Sequence, residues 1–279
     1  MDHAYSASSE WQREEQVAVR LISAFDSVGG VKSVPFGLHF KLQHGWKIYW
    51  RSPGDAGLPP RLRWNGSSNI ESVTIRWPIP QRFSVLGLQT LGYLDEVVLP
   101  IDIKLIEPGA ATLKLQLEYL ICEKICIPYV AAFELQLPAG KLKLSEHSNL
   151  LGRYRAKVPR NDDINGLSFE SAIVRMNGEK KHEITFLARA KDAFTMPDVF
   201  IEGPAGSFFG KPKVMVSQDE KTAELRVEVG GISRSNLEKD GLVVTLVDGN
   251  RSIEAKLHPN FKLTKIEDTT SAGQESDFG

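Results

Sequence analysis

An alternating apolar run that ends in the only two cysteines of the chain constrains the fold most. Residues 111–119 alternate apolar and polar side chains with a period of two, which is typical of a half-buried β-strand. Cys122 and Cys126 follow directly, four residues apart. An extended strand would separate their Cα atoms by roughly 13 Å, whereas a disulfide spans roughly 4.4–6.8 Å. The chain must therefore turn between them, at Glu123 and Lys124, if the two sulfurs are to bond.

The strand that follows the cysteines predicts where the pair lies in the fold. Residues 130–137 alternate again, with Phe133, Leu135 and Leu137 on one face, so a β-hairpin with the cysteines at its tip is predicted. Further strands are predicted over residues 16–25, 36–42, 73–78 and 97–103.

Two segments between these strands look different. Residues 44–60 combine strand-forming aromatics with a Pro/Gly turn array, which predicts a rigid, aromatic-rich loop. Residues 79–96 are predicted to be a long connection. Long loops with apolar side chains often cover a functional site. This segment is therefore a candidate lid over the cysteines, with Phe83 or Tyr93 in contact with sulfur.

Three uses of the cysteine pair are considered. A bond across so short a loop removes on the order of 2 kcal/mol of unfolded-chain entropy. A staple meant only for stability would join more distant segments, and tight loops tend to give labile disulfides. Reversible dithiol/disulfide exchange is therefore the leading hypothesis. A copper-binding module that adds His39 or His44 and a structural or interaction double β-sandwich with an inert disulfide stay open.

The second half of the chain also reads as β-structure. Residues 145–159 predict one short helix with an N-cap at Ser145. Beyond it, strands recur at the spacing of a β-sandwich, over residues 169–176, 183–189, 213–217, 222–229, 242–247 and 252–257. This half has no cysteine, so a spacing or docking role is expected for it.

Composition limits the partners. A chain of 279 residues with 42% hydrophobic content is long enough to bury two ordinary cores. Its net charge is −1 and it contains no basic run, so no nucleic-acid partner is expected. No apolar stretch approaches the roughly 18 residues of a membrane span, and the polar start of the chain shows no signal peptide.

A set of motifs carries a family resemblance. They are Gly45-Trp46-Lys47, Tyr49 through Pro60, Trp77-Pro78, Gly92-Tyr93, Leu99-Pro100 and Tyr119-x-x-Cys122-x3-Cys126-Ile127-Pro128. Together they make residues 15–140 resemble the N-terminal periplasmic region of the DsbD-like thiol:disulfide reductase family. The resemblance is closest to the ScsB (suppressor of copper sensitivity) branch, and the cysteine spacing is tighter than in the DsbD N-terminal domain itself.

The resemblance implies a fold and a function. The fold would be all-β, with two immunoglobulin-like β-sandwich domains in tandem joined by a short helix and linker. Cys122 and Cys126 would be the catalytic pair of a protein-disulfide reductase, an electron-relay domain of a larger membrane reductase. They would accept electrons from the transmembrane reductase domain of the same full-length protein and pass them to a periplasmic thioredoxin-like disulfide isomerase of the ScsC or DsbC kind. By analogy, Cys126 would be the nucleophile.

Several further expectations accompany this interpretation. The chain would be the soluble, periplasmic portion of an inner-membrane protein and a monomer, with no cofactor and no metal. The candidate supporting and lid residues are Phe83, Tyr93, Tyr119, Glu123 and Lys124.

The expected domain organisation has five parts. They are a flexible N-terminus (1–15), the redox domain (16–142), a linker with a short helix (143–162), a second β-sandwich (163–263) and a disordered linker (264–279).

Overall fold

A computed structural model describes residues 7–85, 87–177 and 181–263. The predicted disordered linker over residues 264–279 lies outside the described residues, as do residues 1–6 of the predicted flexible N-terminus. The described chain is almost entirely β-structure and forms two tandem β-sandwiches, which confirms the predicted fold class. None of its helices is long and apolar enough to cross a bilayer.

The first domain is built from strands β1–β13. Their bounds are Gln12–Arg13, Val17–Ser23, Phe25–Ser27, Ser33–Leu42, Lys47–Gly54, Arg61–Arg63, Ile70–Ile75, Gln81–Val85, Leu88–Leu94, Glu96–Leu105, Ala111–Cys122, Cys126–Leu137 and Lys143–Leu144. Sheet 1 has the order β1-β2-β4-β10-β7. Sheet 2 has the order β12-β11-β5-β9-β8, with β6 beside β11, while β3 and β13 form a small ribbon. Both sheets are antiparallel and enclose one core.

Side-chain alternation explains how sheet 2 closes this core. In β11, Leu113, Leu115 and Leu117 are buried, whereas the two residues between them are exposed. The central strands of sheet 1 are buried on both faces because a helix, α1 (Ser148–Arg155), covers the outer one. Gly37 in β4 makes this possible, since a Cβ there would overlap the side chain of Leu151 in the helix.

The start of α1 differs from the prediction. The helix begins at Ser148, and Ser145 is not its N-cap. The Ser145 hydroxyl instead donates to the carbonyl of Ser23 and accepts from the backbone N–H of His147 at 3.1 Å. It therefore ties the turn before the helix to the end of β2.

Residues 79–96 are not a long connection, so that prediction is wrong. They contain the β8–β9 hairpin, whose register runs from Gln81 opposite Gly92 to Val85 opposite Leu88. Gly92 lies inside β9, and glycine is required there because a Cβ would overlap the Ile48 carbonyl of β5. The aromatic part of residues 44–60 is likewise a strand, β5, in the interior of sheet 2.

Part of the predicted flexible N-terminus lies against the first domain. β1 pairs with β2, and Ser8 forms a β-bridge to Ile22. Ala7 is buried, and the side-chain amide of Gln12 donates to the carbonyl of Ala132 in β12. Residues 7–13 therefore follow the edges of the two sheets.

The second domain contains strands β14–β22 and helix α2. Their bounds are Leu167–Asn177, Lys181–Ala190, Pro197–Glu202, Phe208–Phe209, Lys213–Val216, Thr222–Gly230, Leu242–Asp248, Arg251–Leu257, Asn260–Leu263 and, for the helix, Arg234–Asp240; a 3-10 turn spans Asp163–Asn165. One sheet has the order β17-β19-β15-β14-β22 with β18 beside β19, and the other has the order β16-β20-β21. The six strands predicted for this half are present, whereas β16, β17, β22 and α2 were not predicted.

Candidate functional site

The two cysteines form a disulfide across the tip of the β11–β12 hairpin. Cys122 and Cys126 are directly opposite in the register, and their Cα atoms are 4.1 Å apart. The backbone N–H of Glu123 donates to the carbonyl of Ile125 at 3.1 Å and closes the turn. The predicted hairpin with the cysteine pair at its tip is therefore confirmed.

The two sulfur-bearing residues differ in exposure. Cys122 is 2% exposed, whereas Cys126 is exposed. The difference follows from the strand order, since β11 lies between β12 and β5 while β12 is the edge strand of sheet 2. A reagent or partner can thus reach Cys126, while Cys122 lies behind it within bonding distance.

Tyr49 of β5 contacts the exposed cysteine. Its hydroxyl lies 3.9 Å from Cys126 Sγ. The ring is held by the loop after β5, because Gly57 has φ +100° and a Cβ there would overlap the Tyr49 ring. Burial raises the pKa of Tyr49, so the phenol stays protonated at neutral pH and can donate a hydrogen bond to sulfur.

Lys47 is a buried cation beside the disulfide. It lies opposite Cys122 in the β5–β11 register and is 6% exposed. Its Nζ donates to Thr90 Oγ1 at 3.3 Å and lies 5.1 Å from the Phe83 ring and 5.9 Å from the Tyr49 ring. Burial lowers the pKa of Lys47, because the charged form loses hydration there.

The predicted supporting residues separate into two groups. Phe83 lies in β8 opposite Thr90, on the disulfide face, where its ring meets the Lys47 ammonium group. Glu123 and Lys124 are exposed at the hairpin tip. The geometry therefore brings these three residues to the neighbourhood of the sulfurs.

Tyr93 and Tyr119 face the core instead. The Tyr93 hydroxyl donates to the carbonyl of Pro78 at 2.7 Å, and its ring is buried. Tyr119 stacks on Tyr129 with ring centroids 5.6 Å apart, and burial raises its pKa. Tyr119 precedes Cys122 by three residues, so strand alternation turns the two side chains to opposite faces. Contact of Tyr93 with sulfur is thus not found.

An apolar groove adjoins the disulfide. It encloses about 230 Å³ and is lined by Leu58, Pro59, Leu120, Pro128 and Val130, among others. Leu120 and Pro128 form the register pair two residues from the two cysteines, on the same sheet face. The groove therefore lies along the hairpin, with Leu120 and Pro128 as its lining residues nearest to the cysteines in the register.

The histidines considered for a copper site have other surroundings. His39 is buried in sheet 1, and its Nε2 lies 2.7 Å from Glu96 Oε1. His44 is fully exposed, with Nδ1 3.7 Å from Asp95 Oδ1. Across residues 7–85, 87–177 and 181–263, no cluster of three or more His, Cys, Asp or Glu side chains could hold a metal ion.

Comparison with protein families shows what each of the two domains is similar to. A family model described as the N-terminal region of the thiol:disulfide interchange protein DsbD matches residues 14–147. The first domain is therefore similar to the DsbD N-terminal family. Residues 157–261 match a family described as a domain of unknown function (DUF8393). No curated protein sequence matches the chain significantly.

A solved structure resembles both domains together. The N-terminal periplasmic domain of ScsB from Proteus mirabilis matches with a TM-score of 0.73 at 22% sequence identity. The match covers 91% of this chain and 99% of that chain. At this identity the likeness establishes the fold. The family resemblance predicted from the sequence motifs is confirmed by the two findings together.

Sequence reasoning missed two residues that lie beside the Cys122–Cys126 disulfide. Lys47 and Tyr49 belong to the quoted motifs but were given no role at the sulfurs. They reach Cys122 and Cys126 through β5–β11 pairing, across more than seventy residues of sequence. The signal present in the sequence was their spacing of two within a strand, which places both side chains on one face.

Proposed function

We propose that the first domain is a periplasmic thiol–disulfide exchange domain that reduces disulfides of partner proteins through Cys122 and Cys126. The supporting observation is a disulfide at a hairpin tip with one exposed and one buried cysteine. Exchange needs an accessible thiolate that attacks and a second thiol that waits within bonding distance. Cys126 has the first property and Cys122 the second.

The proposed reaction moves two electrons to the partner. In the reduced domain, the Cys126 thiolate attacks one sulfur of the partner disulfide, so the partner S–S bond breaks and a mixed disulfide forms. The Cys122 thiolate then attacks Cys126 Sγ and displaces the partner sulfur. The domain is left with its Cys122–Cys126 bond, and the partner leaves as a dithiol after taking up two protons. The Tyr49 hydroxyl stabilises the Cys126 thiolate by donating to it.

The surroundings of the disulfide suit a protein partner. Apolar side chains at the hairpin tip and along the groove are unusually exposed, with Ile125 at 65%, Val130 at 77% and Leu58 at 55%. Exposed apolar groups beside a reactive group are typical of a docking surface. We infer that a thioredoxin-like disulfide isomerase is the electron acceptor.

The domain must be reduced again after each exchange. We infer that the transmembrane reductase domain of the same full-length protein supplies the two electrons, so that the chain serves as a protein-disulfide reductase within a relay. Exchange with an upstream dithiol uses the same sulfurs in the reverse order.

A cysteine trap tests the proposal. Reduced Cys122→Ala protein, which keeps the exposed Cys126, is mixed with an oxidised thioredoxin-like disulfide isomerase and analysed by non-reducing electrophoresis and mass spectrometry. A dithiothreitol-sensitive covalent adduct is expected because the resolving thiol is missing. The matched control, Cys126→Ser, keeps only the buried thiol and should form no adduct. Absence of an adduct from both variants would overturn the proposal.

A further inference from the structure

The second domain docks on the sheet that carries the disulfide. The Trp50 ring of β5 lies 6.0 Å from the ring of Phe200 in β16, centroid to centroid. Phe200 and Val247 of the second domain are buried within the same hydrophobic core as the first domain. The two sandwiches therefore pack directly against each other through apolar side chains, in addition to being joined by a linker.

Two arginines of the first domain fix the contact. Arg51 of β5 donates from Nη2 to Glu202 Oε1 at 2.6 Å and also pairs with Glu254. Arg82 of β8 donates from Nε and Nη2 to the two carboxylate oxygens of Asp198 at 2.9 and 3.0 Å. The Arg82 Nη2 also donates to the backbone carbonyl of Val199 at 2.8 Å. Bidentate pairs of this kind are strong and directional, and Arg82 is only 13% exposed.

The strands held by these arginines also surround the disulfide. In β5, Arg51 follows Tyr49 by two residues, and Tyr49 contacts Cys126 Sγ. In β8, Arg82 directly precedes Phe83, whose ring meets the ammonium group of Lys47 beside Cys122. A shift of β5 at its arginine would therefore move Tyr49 relative to Cys126, and a shift of β8 would move Phe83 relative to Lys47.

Strand β8 needs this support most. It is the edge strand of sheet 2 on the side away from β12, and it pairs only with β9 among the described strands. A short edge hairpin opens easily because one side of its backbone has no partner strand. The bidentate contact with Asp198 holds this strand near its start, through Arg82. A domain that served only as a spacer would need no such contact.

From these contacts we propose that the second domain acts as a brace: it holds β5 and β8 against the disulfide, so that Cys122 stays shielded and Cys126 alone is presented. The biological meaning of the brace rests on the proposed exchange function. It gives the domain of unknown function a positioning role at a redox site that lies 72 to 132 residues before its acidic contact residues in the sequence. Asp198, Glu202 and Glu254 are its positioning residues.

The test compares thiol accessibility in the full chain. An Asp198→Asn/Glu202→Gln double variant removes the carboxylate partner of Arg82 and one of the two carboxylate partners of Arg51, without changing side-chain size. Glu238→Gln is the matched control, since Glu238 pairs with Arg234 on the exposed side of the same domain. Each reduced protein is pulsed with iodoacetamide, and carbamidomethylation of Cys122 and Cys126 is measured separately by peptide mass spectrometry.

The brace predicts faster labelling of Cys122 in the double variant, by about tenfold, as expected when charge-assisted hydrogen bonds that oppose local opening are lost. Labelling of Cys126 should change little, and the control should match the wild type. Hydrogen exchange of residues 81–85 should accelerate in parallel. Equal Cys122 labelling in the double variant and the control would overturn the brace.

A milder variant covers the case in which the double variant unfolds. Arg82→Lys keeps the charge but loses the bidentate geometry, so Cys122 labelling and exchange of β8 should rise in a chain with native tryptophan fluorescence. Unchanged values would contradict the brace. No partner protein takes part in these measurements, so their outcome is separate from that of the cysteine trap.

Discussion

Removal of the disulfide should leave the first domain folded. A Cys122→Ala/Cys126→Ser variant lacks a bond that closes a loop with a sequence separation of only 4. The loop-length formula gives about 2 kcal/mol for so short a loop. Loss of the buried Cys122 sulfur adds about 1 kcal/mol of packing, by comparison with removal of one buried methyl group. The expected loss is therefore about 2–3 kcal/mol, because the β11–β12 register extends to Ala111 and Leu137 without help from the bond.

Urea denaturation followed by tryptophan fluorescence measures this loss. All five tryptophans lie between residues 11 and 77, so the signal reports the first domain. With an m-value of about 2 kcal/mol/M, the midpoint should fall by about 1–1.5 M. Wild-type protein reduced with dithiothreitol serves as the control and should lose no more stability than the variant. A loss above about 5 kcal/mol, or no cooperative transition, would refute the reasoning and identify the bond as a structural staple.

Two further predictions concern the packing around the site and the stability of sheet 1. Gly57→Ala should cost about 2–4 kcal/mol, since it adds backbone strain and a clash with the Tyr49 ring. Gly87→Ala is its control, with φ +83° but nothing within 4 Å, and should cost about 1–2 kcal/mol; equal costs in urea denaturation would contradict the role of the ring. Stability should also fall as pH drops below about 6.5, because burial lowers the pKa of His39 and the unfolded chain binds the proton first. His39→Gln should reduce the difference in stability between pH 7.5 and 5.5, unlike His44→Gln at the fully exposed position; an unchanged difference in His39→Gln would contradict this.

Much of the fold could be predicted because its strands alternate. The β11–β12 hairpin and six strands of the second domain follow from period-two patterning and turn residues. Strands that break the pattern were missed for physical reasons. Gly92 in β9 is required for close backbone approach to β5 yet reads as a loop residue, and β22 is a short strand in parallel pairing with β14.

The site could be predicted only as far as its local part. The cysteines are four residues apart, so a bond between them requires a turn at Glu123 and Lys124. Tyr49 and Lys47 reach them through pairing between strands distant in sequence, which no local pattern encodes. The placement of Tyr119 could have been predicted from the sequence. A side chain three residues before Cys122 in a regular strand points to the opposite face of the sheet.

The contact between the domains had no sequence signal. Arg51 and Arg82 look like ordinary polar residues of β-strands until the second domain brings carboxylates to them. Charged pairs formed between distant segments follow from tertiary packing and are invisible to periodicity. The sequence led us to expect a spacing or docking role for the second domain, and these contacts are the basis for proposing the brace.

The most direct test of the account is the fate of two electrons. Fully reduced wild-type chain is mixed with one equivalent of an oxidised thioredoxin-like disulfide isomerase, and the reaction is quenched with acid. The free thiols of both proteins are then alkylated and counted by intact-protein mass spectrometry. The account predicts that the isomerase gains two thiols while the chain loses two and regains its Cys122–Cys126 bond. An isomerase that stays oxidised beside a chain that keeps both thiols would contradict it.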